Sequence, residues 1–248
     1  MKAFLFADLH GSYKQLRNIE SYLKNNPIDL ILFAGDLTNM GEPVEFAKLW
    51  LDVLADVKIP FFWVPGNNDF GRGYYRLAAK YPSLEGRTME FPLFCHSRAG
   101  GNLNVLDRAR DDKKVLKFTG VGGSPASWAG QYQGETTDQK IEIGGTIFIS
   151  HVPPPGLLNL LPYDKILPSG CHSGLDPESR HSVSARKFSD APLIHICGHI
   201  HSRQGIGFLG QTKVIKLGDA LHGNYGIMDL ETLFVEFGRF SDGNTYRV

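Results

Sequence analysis

Short, mainly apolar runs recur along this chain: AFLF at 3–6, LILFA at 30–34, PFFWV at 60–64, VLKF at 115–118, TIFI at 146–149, LIHI at 193–196 and KVIKL at 213–217. They are rich in Phe, Ile and Val and too short for helices, so they read as buried strands. Between the first two, Leu16, Ile19 and Leu23 repeat at helical spacing behind Ser12, a residue suited to an N-cap. Between the second and third, Pro43 opens PVEFAKLWLDVLAD, where Phe46, Leu49, Trp50, Val53 and Leu54 are expected to form one apolar stripe. Strand, helix, strand, helix, strand describes two consecutive crossover units with parallel strands. The tail YGIMDLETLFVEFGRF alternates and turns, which predicts an antiparallel hairpin closing a second sheet.

Composition excludes more than it identifies. At 248 residues with 42% hydrophobic content the chain can bury a substantial core, and one domain over 1–248 is the simplest count. Lys plus Arg equals Asp plus Glu, at 26 each, so no net charge advertises a nucleic-acid or membrane partner. The apolar start of the chain breaks at Asp8, too early for a secretion signal, and no stretch approaches a membrane span. Cys95, Cys171 and Cys197 lack metal-type spacing, so a soluble protein of the reducing cytoplasm is expected. Two polar, Gly- and Ser-rich segments, at about 92–114 and 168–186, break the strand rhythm and read as surface insertions or long loops. His96, His172 and His181 lie in them and are poor candidates for catalysis. Removing most of the first would join TMEF to VLKFTGVGG as an ordinary hairpin.

The residues at the strand ends carry the functional argument. Asp8 and His10 follow the first run and Asp36 the second; Asn67, Asn68 and Asp69 follow the third. His151 follows TIFIS, and His199 and His201 follow LIHIC. In parallel sheets the carboxyl ends of the strands share a rim, where ligands bind. Taken singly, each residue has a plainer reading: an Asp after a strand as a turn residue, a lone His as a hydrogen-bonded loop residue. Together, donors from five strands would converge. Carboxylate and imidazole suit Mn2+, Fe2+, Zn2+ or Ni2+ without a thiolate. A carboxylate between two cations roughly 3.5–4 Å apart can bind both, and water held between such cations loses a proton near neutral pH.

The succession D-x-H (8–10), G-D (35–36), G-N-x-D (66–69), an isolated His (151) and G-H-x-H (198–201) resembles the calcineurin-like metallophosphoesterase family. TGVGGSP at 119–125 is similar to small bacterial and archaeal members. The resemblance implies an α/β fold, a four-layer α/β/β/α sandwich with two mixed β-sheets and a dinuclear metal site at the strand C-terminal rim. It implies two divalent metal ions, Asp8, His10 and His201 on the first, Asp36 bridging, and Asn67, His151 and His199 on the second. Asp36, Asn67, Asn68 and His151 would carry the chemistry on a phosphate-ester substrate, with nucleic acid possible only as such a substrate.

One position departs from the pattern. Many members read GNH[DE], and here the His is Asn68, whose amide donates a hydrogen bond but gives up no proton. Members without that His look more often like phosphodiesterases, which is the expectation here. A phosphomonoesterase, a non-catalytic scaffold on the same fold and a metal-binding regulatory module stand as alternatives. The usual role of Asp69, orienting the missing His, is left open between structural and supporting functions. His195, within its strand, reads as a packed residue. His222 and Arg72 are candidates for contact with substrate, against plainer roles as a turn residue and a solvated charge.

Overall fold

Alternation along the first strand decides how the molecule is layered. In the computed structural model, which describes residues 1–39, 42–69, 72–93, 115–123, 143–154, 191–202, 204–240 and 245–247, β1 spans Lys2–Phe6. Its Ala3 and Leu5 face one core while Phe4 and Phe6 face another. The same period-two division runs through β2 (Leu30–Ala34) and β3 (Phe61–Val64). Strands buried on both faces need continuous apolar sequence, which is why these runs show no polar alternation.

The helices α1 (Tyr13–Asn25), α2 (Val44–Asp56) and α3 (Arg72–Lys80) complete the first layer. Leu16, Ile19 and Leu23 of α1, with Trp50, Leu51 and Leu54 of α2, pack on Phe4, Phe6, Ile31, Phe33, Phe61 and Trp63. Ser12 caps α1 as expected, its hydroxyl accepting from Gln15 N–H at 3.4 Å. The apolar stripe of α2 is displaced from the one expected. Ala47, Trp50, Leu51 and Leu54 are buried, while Phe46 and Leu49 are 49% and 48% exposed. Two adjoining stripes of this helix are apolar, and docking on the sheet selects one of them.

The second sheet contains β4 (Thr88–Pro92), β5 (Val115–Val121), β6 (Ile147–Ser150), β7 (Ile194–Cys197), β8 (Gly205–Leu209) and β9 (Thr212–Lys216), in the order β4-β5-β6-β7-β9-β8. β5, β6, β7 and β9 are parallel, with β4 and β8 antiparallel at the edges. The β4–β5 pairing joins Phe91 to Leu116 in register, the hairpin expected on either side of the first insertion. Phe118, Ile147, Ile149, Ile194, Ile196, Ile215 and Leu217 meet the first sheet in one apolar core between the layers.

The tail hairpin does not close the second sheet. β10 (Asn224–Asp229) pairs antiparallel with β1, followed by β11 (Val235–Phe240) and β12 (Thr245–Arg247), so the first sheet reads β12-β11-β10-β1-β2-β3. The edge of β1 away from β2 accepts it, and Tyr225 stacks between Phe4 and Phe240, with ring centroids 5.3 and 4.5 Å away. Two mixed sheets with helices outside the first agree with the expected α/β sandwich. The outer helical layer expected on the second sheet, both proposed insertions beyond Leu93, and His96, His172 and His181 lie outside the described residues. Among the described residues no helix is long and apolar enough to cross a membrane.

Candidate metal centre

The carboxyl ends of β1, β2 and β3 and those of β6, β7 and β9 meet where the two sheets face each other. Backbone hydrogen bonds link neighbouring turns within each rim: Asp8 N–H to Gly35 O, His10 N–H to Asp36 O and Gly198 N–H to His151 O, at 2.9–3.1 Å. His199 N–H donates across the sheets to the Asp8 carboxylate at 2.9 Å. Here the backbone is strained. Asp8, His10, Asp36 and His199 all have φ between 47° and 66°, the left-handed region that side chains other than glycine rarely adopt. Such conformations cost on the order of 1–3 kcal/mol each and persist where surrounding structure imposes them, typically at functional sites.

Two motif glycines make the convergence sterically possible. A Cβ on Gly66 would lie 2.1 Å from both the nitrogen and Oδ1 of Asp36. One on Gly198 would lie 2.6 Å from Ala7 Cβ and from Asp8 Oδ2. Asp69, fully buried, binds the neighbouring turns together: Oδ2 accepts from Leu37 N–H (2.9 Å) and Gly66 N–H (3.0 Å), and Oδ1 from Thr38 N–H and Oγ1–H (both 3.1 Å). Burial and nearby Asp36 push its carboxyl up to about 6, against the pull of these donors, leaving it ionised at neutral pH. Asn68 donates both its backbone N–H and its Nδ2–H to Asp36, at 2.8 Å each. Its amide therefore holds that carboxylate in one orientation.

All seven expected donors are brought together, in two adjoining sets. In the first, His10 Nε2 and His201 Nε2 are 3.0 Å apart, and lie 3.9 and 3.5 Å from Asp8 Oδ1. In the second, Asn67 Oδ1 is 2.9 Å from His151 Nε2 and 2.8 Å from His199 Nδ1. Asp36 Oδ2 lies between them, 3.8 Å from His10 Nε2 and 3.4 Å from His151 Nε2. Donor atoms of Asp8, His10 and His201, and of Asp8, Asp36 and His151, lie within 4.8 Å of one another in each group.

The electrostatics fit cations. Asp8 and Asp36 are buried, and among the described residues no Lys or Arg nitrogen lies within ion-pair distance of either. Two buried carboxylates with no permanent cation beside them are expensive to keep ionised, so the compensating charge has to come from a protonated imidazole or a bound cation. Burial raises the Asp8 carboxyl, with His201 opposing. Burial and the charge of His151 bring His199 down to about 4, and burial lowers His10, so both offer lone pairs at neutral pH. Burial would lower His151 too, but the Asp36 charge prevails and holds it at about 9. A divalent cation among these donors would take the place of that proton. Ring orientation is already set, since His151 Nδ1–H donates to Ala34 O at 2.9 Å and leaves Nε2 toward the centre.

The remaining candidates separate cleanly. His195 is buried in β7, 2.6 Å from Ser150 Oγ, and burial drives it down to about 3, consistent with a packed residue. Cys197 is buried, its thiol pushed up to about 12, outside the donor set. His222 lies in a single 3-10 turn, Ala220–His222, with Nδ1 2.6 Å from Asp219 Oδ2. The side chain of Arg72 lies outside the described residues. Asp219 was not singled out from sequence, although Gly218–Asp219 after KVIKL repeats the strand–Gly–Asp pattern of Gly35–Asp36. It is buried, and its Oδ2 lies 3.9 Å from His201 Nδ1.

Fold and site together define a double-sheet α/β protein with a cluster of candidate metal-binding carboxylates and imidazoles at its joined rims. The chain belongs to the calcineurin-like phosphoesterases, whose family model matches residues 1–203. That family is typically dimetal-dependent, and membership supports a phosphoester hydrolase. Among solved structures it resembles TT1561 of Thermus thermophilus, with a TM-score of 0.62 and 18% identity over 96% of this chain and 98% of that one. It also resembles a dimetal phosphatase from Danio rerio, with a TM-score of 0.52 and 11% identity over 99% of this chain and 94% of that one. No curated protein matches by sequence.

Proposed function

We propose that this chain hydrolyses phosphodiesters, with two divalent metal ions held by Asp8, His10, Asp36, Asn67, His151, His199 and His201. In this reading Asp8, His10 and His201 would hold one ion, Asn67, His151 and His199 the other, and Asp36 would contribute to both. When bound, the ions supply Lewis acidity and lower the pKa of water toward neutrality. The chain does the rest by placement. Asn68 and the Ala34 carbonyl orient Asp36 and His151, and Asp69 keeps Asn67 and Asp36 in a fixed relation.

The observation that carries the choice of diester is the engagement of Asn68. The amide at this position is bound to Asp36 and has no titratable proton for a leaving oxygen. A phosphomonoesterase working on poor leaving groups would forgo the roughly 10²–10⁴-fold that general-acid assistance provides. The test compares Mn2+- and Zn2+-reconstituted protein on bis-p-nitrophenyl phosphate and p-nitrophenyl phosphate, alongside Asp36→Asn. Faster diester turnover, lost in Asp36→Asn, is expected. Faster monoester turnover would reverse the substrate class, and metal uptake with no turnover of either would replace catalysis by a binding role.

A further inference from the structure

With Asn68 committed to Asp36, the centre still has an imidazole beside it, on the loop after β9. Ala220 N–H donates to Ala7 O at 2.7 Å and Leu221 N–H to Asp8 O at 3.0 Å. The turn carrying His222 is thereby tied to the backbone that presents Asp8. Gly223 closes the turn at φ 89°, where a Cβ would lie 2.4 Å from Phe240 O, and Arg239 Nε–H donates to His222 O at 3.0 Å. These contacts anchor the segment to β1 and β11.

We propose that His222, held by Asp219, is the group that meets the leaving oxygen of the substrate. The inference rests on the phosphodiesterase reading above. Asp219 is 1% exposed, while the ring of His222 is 63% exposed. Oδ2 of Asp219 takes the Nδ1–H of His222 at 2.6 Å, and Oδ1 takes Nδ2–H of Asn224 at 3.1 Å. With Nδ1 spent on the carboxylate, Nε2 is the nitrogen left for solvent and substrate. The same Oδ2 lies 3.9 Å from Nδ1 of His201, so a single carboxylate relates the exposed imidazole to one in the metal centre. A buried acid orienting a histidine at the rim restores from β9 what position 68 lacks. Asp219 acts here as a positioning residue.

The step balances as follows. The attacking water forms a P–O bond and gives one proton to solvent. The P–O bond to the leaving group breaks, its oxygen takes a proton from Nε2 of His222, and the imidazole recovers one from bulk water. Help of this kind matters in proportion to the basicity of the leaving oxygen.

The experiment uses metal-loaded wild type, His222→Ala, His222→Gln and Asp219→Asn on bis-p-nitrophenyl phosphate and diphenyl phosphate, with metal content measured for each. His222→Ala and His222→Gln are expected to lose about 100-fold in kcat on diphenyl phosphate and under about threefold on the nitrophenyl ester, at unchanged metal content. Asp219→Asn should show the same selectivity in weaker form. Equal losses on both esters, or none on either, would overturn the role of His222 and leave the phosphodiesterase reading intact. Wild type inactive on both esters would overturn that reading and this inference with it.

Discussion

Asp69 is the residue whose removal tests most directly how this centre is held. One side chain satisfies three backbone N–H groups and the hydroxyl of Thr38, all in the turns that present Asp36 and Asn67. In Asp69→Asn, whichever way the amide turns, its NH2 faces at least one of those N–H groups. The remaining bonds also lose their charge. An abandoned buried donor costs about 1–3 kcal/mol, offset in Asp69→Asn by removal of a charge that burial and Asp36 penalise, so Asp69→Asn should lose about 2 kcal/mol and Asp69→Ala, which abandons all four donors, about 4. Urea denaturation of metal-free protein at pH 7.5, followed by tryptophan fluorescence with m held constant, reads this directly. Because Asn67 moves with the turn, Mn2+ affinity should fall about 10–100-fold, the usual effect of losing a group that orients metal ligands. A stability loss below about 1 kcal/mol in both variants would refute the reasoning, since it would mean the four donors find partners elsewhere.

Gly66→Ala places a methyl 2.1 Å from the backbone nitrogen of Asp36. It should cost about 3 kcal/mol by overpacking and abolish diester turnover; wild-type urea stability and kcat in this variant would contradict the close approach. His195 supplies a pH test: its folded value is depressed to about 3 by burial, against about 6.5 unfolded. Its contribution is therefore intact above about 6.5 and shrinks as pH falls toward 3, reaching about 2 kcal/mol of lost stability at pH 5. Denaturation at pH 7.5 and pH 5 should show His195→Gln losing less than wild type by that amount, and identical losses would count against it.

How much was legible in advance depended on how local the signal was. The donors from Asp8 to His201 could be listed because each stands within a few residues of a strand end, and apolar strand followed by polar donor is a short-range pattern. Asn68 was recognisable as a substitution, but its attachment to Asp36 was not, because the two positions are 32 residues apart and meet only through adjoining turns. The stripe of α2 was misplaced because Phe46 and Leu49 are as apolar as Leu51, so hydrophobicity could not rank the faces. Asp219 was not singled out, because its approach to His201 exists only once β9 lies beside β7.

Sequence by itself determined the buried strands, the two crossover units, and the order in which carboxylates, an amide and imidazoles would emerge from them. Those features follow from side-chain period and chemistry over a few residues, which the chain carries whatever it packs against. Only the tertiary structure decided that the tail hairpin joins β1, which apolar face of α2 is buried, and that four donor-bearing residues adopt left-handed backbone. Each of these is a competition between near-equal local choices. It is resolved by contacts between segments far apart in the chain, such as Asp8 with His199 at a separation of 191 residues, that no short window of sequence contains.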